Sequence, residues 1–257
     1  MTERLGVVCG DLGAEIDSHT THGLAEDHRV QRTGHVVFDM GLGVAVRCEQ
    51  RLVVELETVA SGPWSQRGGN TETHVEDDMP SALYPVILGE TMRRVGVDLG
   101  AEVTAADAEA FGRSVKDWPA FPDTVEALKR LSTRYKLIIL SNIDRASFAA
   151  SNPRLGVTFD SIITAEDVGS YKPQRGHFNR LFEEIERLGV SRERLVHVAE
   201  SLFHDHQPAA ELGLPSVWIH RRHEKGGAGA TATPSEEISP TWRFTSMAEF
   251  AGAAVPE

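Results

Sequence analysis

The chain has 257 residues, 40% apolar and 25% charged, the balance of a soluble globular protein long enough for one large domain or for a core domain with a smaller insert. A formal net charge of −12 and a pI of about 5.4 would repel a phosphate-rich polymer, which excludes nucleic acid as an expected partner. Small anionic substrates stay open, because a local Lys or Arg outweighs a distant negative field. The longest apolar runs, such as residues 137–140, are far too short to cross a bilayer. With no basic, apolar and small-residue leader pattern at the start, a cytoplasmic location without a membrane partner is expected. Cys9 and Cys48 do not make a disulfide framework.

In chain order, the first 75 or so residues stand apart, with five of the 11 histidines and several Gly-rich breaks. Within them "HVVFDMGLGV" reads as an apolar strand ending at Asp39. The stretch "SGPWSQRGGNTETHVEDD", residues 61–78, has no apolar period and reads as loop or disorder. Residues 81–118 read as helical, with Leu83, Ile87, Met92 and Val95 on one face and a capped start at Thr104. A helix starts at Asp123, where Asp123 and Glu126 have capping-box spacing and Val125, Leu128, Leu131 and Tyr135 form a stripe. Strands are expected in "KLIIL", "FDSIIT", "RLVHVA" and "SVWIH". Helices are expected between them: over 145–152, along a face of Phe178, Leu181, Phe182, Ile185 and Leu188 closed by Gly189, and over 207–212. Residues 226–240 read as a mobile loop, and the tail "WRFTSMAEFAGAA" as an edge strand and a last helix.

Short, almost wholly apolar strands alternating with amphipathic helices specify an α/β fold, a doubly wound parallel sheet buried on both faces. Ligands of such sheets sit at the carboxyl ends of the strands. Ser141, Glu200 and Asp205 fall at or just past such ends, and Lys172 follows one by a short loop. The expected organisation is an atypical segment over 1–78 holding the first core strand, a helical cap over 79–118 and the core over 119–257.

Three segments, "LIILSNID", "VGSYKP" and "VHVAESLFHD", resemble in order and spacing the second, third and fourth motifs of the haloacid dehalogenase (HAD) superfamily. The likeness covers residues 80–257, and "FPDTVEALKRL", "LSN" and "AEDVGSYKP" resemble most the type II 2-haloacid dehalogenase-like proteins. The resemblance implies a Rossmann-like core with a cap, and hydrolysis through an aspartyl ester on a small anionic substrate. Ser141 would hydrogen-bond the substrate anion, Asn142 would help orient it, and Lys172 would neutralise charge on nucleophile and substrate. In phosphatase relatives Glu200 and Asp205, with the nucleophile Asp39, would hold Mg²⁺; the dehalogenases need no metal. The first motif departs from the pattern, because Gly41 and Gly43 replace the expected second acid or Tyr and the Thr. Asp11 in "VVCGDLGAEIDS" is a second candidate nucleophile, with its acids out of register. Two alternatives to the dehalogenase-like reading follow: a Mg²⁺-dependent small-molecule phosphatase, and a non-catalytic HAD-like protein whose first motif is degenerate or mistranslated. Zinc binding by His204 and His206 is a distant third, and His220 and His223 read as solvated. Homodimerisation through the cap or an edge strand would be common for such folds.

Overall fold

In a computed structural model the described residues are 4–9, 12–17, 44–48, 64–221 and 232–256. Asp11, Asp39, Gly41, Gly43 and His223, with residues 226–231 of the 226–240 loop, lie outside them. The core is a six-stranded sheet of order β5-β4-β3-β6-β7-β8. Its strands are β3 (Val44–Cys48), β4 (Tyr135–Ser141), β5 (Ser161–Thr164), β6 (His197–Ala199), β7 (Ser216–Ile219) and β8 (Trp242–Phe244). An antiparallel hairpin of β1 (Arg4–Cys9) and β2 (Leu12–Asp17) forms a separate sheet.

Strand β4 shows why the sheet is buried on both faces. Leu137 and Ile139 point into a core with Leu128 and Leu131 of α4 (Thr124–Leu131). Ile138 and Leu140 point the other way, onto Phe178, Leu181 and Ile185 of α7 (Gly176–Arg187). The period-two alternation of a strand therefore feeds two apolar layers at once. Ile139 is fully buried, so Ile139→Ala is expected to cost about 2–5 kcal/mol in chemical denaturation, with the spread set by how far the cavity collapses.

The pairs β4–β5, β6–β7 and β7–β8 are parallel. The central strand β3 is not: it runs antiparallel to both β4 and β6. Val44 lies opposite Val198 and Cys48 opposite Tyr135, so the chain enters β3 on the side where the parallel strands end.

The crossovers are α5 (Arg145–Ser151), α6 (Ala165–Val168), α7 and α8 (Gln207–Glu211), and α9 (Met247–Ala254) follows the edge strand β8. Asp123 is not a side-chain cap for α4. Its carboxylate accepts instead from Arg221, at 3.0 and 3.2 Å, and from the Ala248 amide at 3.2 Å, because an ion pair with Arg outweighs one amide bond. The capping box at Thr104 does form, with Asp107 as its partner, at the start of α3 (Ala105–Gly112).

Above the strand ends lie α1 (Trp64–Asp78) and α2 (Tyr84–Asp98). The stretch read as loop or disorder is thus helical from Trp64 onward. Its buried residues are Gly69, Thr73, Val75 and Glu76, with Val75 the one apolar side chain among them, so an apolar-period reading passes over it. The buried face of α2 is Tyr84, Ile87, Leu88, Thr91 and Val95, whereas Leu83 precedes the helix and is 49% exposed. Tyr84 donates to Glu72 at 2.9 Å and Arg94 to Asp78 at 2.7 Å, which tie α2 to α1. Tyr171 donates to the Ala82 carbonyl at 2.7 Å and ties this layer to the core.

A candidate active site at the strand ends

Ser141 closes β4 and is fully buried. Its Oγ accepts from the Ile143 amide at 3.3 Å, and its carbonyl oxygen lies 3.0 Å from His177 Nε2. A carbonyl can only accept, so His177 carries its proton on Nε2. Burial pushes His177 down to about 3, with Lys172 adding to the effect, so the ring is neutral.

The side chain of Asn142 links three segments. Its Oδ1 accepts from the Lys172 amide at 2.7 Å, while its Nδ2 donates to the Lys172 carbonyl at 3.2 Å and to Glu76 Oε1 at 3.3 Å. The Lys172 loop is itself set by α6. Thr164 and Asp167 form a reciprocal capping box, and Gly169, at φ +73°, ends the helix in the left-handed region.

Lys172 is 1% exposed and fully inside the protein. Its Nζ donates to the Leu140 carbonyl at 3.0 Å and to Asp205 Oδ1 at 2.8 Å. Asp205 Oδ1 also receives His197 Nε2 at 3.2 Å. Asp205 Oδ2 is buried with no hydrogen-bond partner among the described residues. Glu200 lies just past β6 and is 6% exposed, and its carbonyl accepts from Trp218 Nε1 at 2.8 Å. The structure therefore gathers Asn142, Lys172 and Asp205 through one bonded network that takes in the Leu140 carbonyl, with Ser141 in the chain between Leu140 and Asn142 and Glu200 at the neighbouring strand end. Asp39 lies outside the described residues.

Sequence reasoning missed the contribution of α1. Glu76 is buried, with Oε2 3.7 Å from His204 Nε2, and Thr73 Oγ1 lies 3.3 Å from the same nitrogen. Burial first, then repulsion from Glu72, pushes the Glu76 carboxyl well above the usual carboxylate range. Burial raises Glu72 to about 7 against the opposing bond from Tyr84, and it pushes His204 down to about 3. His204 is thus a neutral ring at pH 7, so its approach to Glu76 is not a salt bridge. His197 was missed as well, although a polar residue inside the otherwise apolar strand "RLVHVA" is the signal that marks it.

His204 and His206 do not converge on a metal. His206 Nε2 donates to the Ala199 carbonyl at 3.0 Å and its Nδ1 accepts from Ser216 Oγ at 2.9 Å, while His204 Nδ1 faces Ser201. Both nitrogens of His206 are spent on the core. His220 stacks on Trp218 at 4.1 Å and meets Arg243 rather than standing solvated alone.

For Mg²⁺ the donor set is incomplete. The open Oδ2 of Asp205 and the Glu200 carboxylate are hard oxygens of the right kind, yet among the described residues no three acidic, His or Cys groups are placed to hold a metal. A surface depression lined by Ala149, Asn152, Pro153 and Gly156 carries no ionisable side chain and lies apart from these groups. Among the described residues no helix is long and apolar enough to cross a membrane.

A family model described as haloacid dehalogenase-like hydrolase matches residues 85–213. Solved structures share the fold at low identity. L-2-haloacid dehalogenase from Xanthobacter autotrophicus is 16% identical, with 72% of this chain and 84% of that one covered and a TM-score of 0.56. The defluorinating L-2-haloacid dehalogenase Rha0230 is 19% identical, with 74% and 79% covered and a TM-score of 0.58. A magnesium-bound HAD-family structure, YfnB from Bacillus subtilis, is 19% identical, with 69% and 76% covered and a TM-score of 0.52. No curated protein matches the sequence. With half of its length matched by the family model, over residues that include Ser141, Asn142, Lys172, Glu200 and Asp205, the chain belongs to the haloacid dehalogenase-like hydrolases.

Proposed function

We propose that this hydrolase acts on a small anionic substrate through an aspartyl ester, in the manner of a 2-haloacid dehalogenase, with Asp39 as nucleophile. The observation that carries the reading is the buried ammonium of Lys172, fixed at the strand ends by Leu140 and Asp205 with Asn142 against its backbone. A cation held in a dry site is a preorganised stabiliser for a carboxylate nucleophile and an anionic substrate. The antiparallel course of β3 supports Asp39, because the chain enters Val44 from the side of the site. The five-residue separation is at most about 18 Å of extended chain. A relative from Xanthobacter autotrophicus has been solved with chloropropionic acid covalently bound, which is the class of intermediate proposed here.

In this reading an Asp39 oxygen attacks the halogen-bearing carbon, the carbon–halogen bond breaks and halide leaves. Water then attacks the ester carbonyl, returning the carboxylate and releasing the hydroxy acid and one proton to solvent. Ser141 and Asn142 hold the substrate carboxylate while Lys172 balances charge. Such a site needs no metal.

A Mg²⁺-dependent phosphatase is the second reading, favoured by the unpartnered Oδ2 of Asp205 beside Glu200. These two residues and Asp39 would hold the cation, which would screen the phosphoryl oxygens. Halide and phosphate release from 2-haloacids and small phosphate esters, each with Mg²⁺ or with EDTA, separates the two. Halide release insensitive to EDTA is expected. Asp39→Asn should then be silent at an unchanged melting temperature, and a variant that still turns over moves the nucleophile elsewhere. Silence of the folded wild type across the panel would leave a HAD-like protein with a degenerate first motif. A homodimer is proposed on the likeness alone, and sedimentation tests it.

A further inference from the structure

Lys172 is buried at the strand ends, and its charge is already matched by Asp205 at 2.8 Å. An anion entering beside Asn142 therefore meets little net positive charge, and it meets a second acid, Glu76, whose Oε1 lies on the same Asn142 amide. Two carboxylates and a substrate anion cannot share a desolvated space unless one of them takes up a proton.

We propose that Glu76 is a further substrate-binding residue of this site, meeting the anion as a neutral hydrogen-bond donor, so that substrate and one proton bind together. The inference rests on the proposed hydrolase reading. It also explains why α1 spends a buried stripe on polar residues: Thr73 and Glu76 face the loop of His204, and Glu76 faces Asn142. The charged and titratable groups around Glu76 are Glu72 and Asp77 on its own helix, Lys172 and Tyr171 from the core loop, Tyr84 from α2 and His204 after β6. Burial keeps His204 neutral above pH 6 and raises both tyrosines, so over pH 6–9 the group that competes with Glu76 is Glu72. The hydrogen bond from Tyr84 holds Glu72 on the side of α2, away from Asn142.

The test is the pH dependence of KM and kcat for L-2-chloropropionate between pH 6 and 9, with the carboxyl ¹³C signal of Glu76 followed in labelled protein. In the wild type KM should be flat at low pH and rise by up to about tenfold per pH unit once Glu76 ionises. Glu76→Gln keeps a donor without a charge, so its KM should lose that rise. Glu72→Gln should keep the rise. Binding of L-2-chloropropionate or inorganic phosphate should shift the Glu76 titration to higher pH. A Glu76→Gln enzyme with the wild-type KM profile overturns the proposal, as does a bound anion that leaves the Glu76 titration unmoved. If Glu76→Gln does not fold, the carboxyl titration in the wild type decides alone. If neither probe binds and neither is turned over, the hydrolase reading has failed instead, and the Glu76 proposal falls with it.

Discussion

Replacing Lys172 with methionine is expected to lower kcat/KM by about 10²–10³-fold, the usual loss when one preorganised charge stabiliser is removed, and to cost about 3–5 kcal/mol of folding stability. The two effects share one cause. Asp205 is fully buried, and it keeps a carboxylate there because Lys172 Nζ sits 2.8 Å away with His197 behind it. Without the ammonium, an uncompensated carboxylate remains in the interior. It would then take up a proton, so the penalty should be larger at pH 8 than at pH 5. Lys172→Met with Asp205→Asn removes both charges and should recover much of the stability, whereas activity should stay lost. That non-additivity, read by denaturant titration of the two single variants and the double, separates the structural role of the pair from its chemical one. Equal losses that simply add would mean that the two side chains do not depend on each other.

The core was legible because its strands say one thing at every level. "KLIIL" is apolar on both faces, and the structure uses both, Leu137 and Ile139 on one side and Ile138 and Leu140 on the other. The motif residues followed from where those strands end. Three features were not legible. The direction of β3 is a matter of topology, which an isolated five-residue strand (Val44–Cys48) does not encode. The helix α1 buries Gly69, Thr73 and Glu76 with Val75 the one apolar side chain among them, so a search for apolar stripes sees none. A polar stripe at helical spacing, aimed at a buried site, is how a functional helix looks when its buried face is chemistry rather than core. Asp123 failed as a cap for a different reason: Arg221, which competes for its carboxylate, is 98 residues away in sequence.

Acid should unfold this protein earlier than its carboxylates alone would require. Burial lowers His177 and His204 to about 3 and His206 to about 4, and it holds His197 well below the ordinary 6.5. The sign follows from proton counting. Above pH 6.5 these rings are neutral in both states and contribute no slope. Below it the unfolded chain binds protons that the folded one refuses, so stability falls with falling pH until the folded values are reached. Each ring adds a slope of up to about 1.4 kcal/mol per pH unit. Glu72 and Glu76 act in the opposite sense. Their raised folded values mean that the stability they offer is full below the ordinary 4.5 and is lost as pH rises, for Glu72 through about 7. From pH 6.5 down to 4.5 the two carboxyls offset part of the loss from the four rings, and below 4.5 the offset ends. Stability by urea titration should therefore decline gently from pH 6.5 and steeply below 4.5, by several kcal/mol in total. His177→Gln isolates one share, since a Gln amide can still donate to the Ser141 carbonyl but binds no proton. Its stability should fall less steeply than the wild type's between pH 6.5 and 4, and a variant with an unchanged slope would show that His177 takes up its proton within the fold.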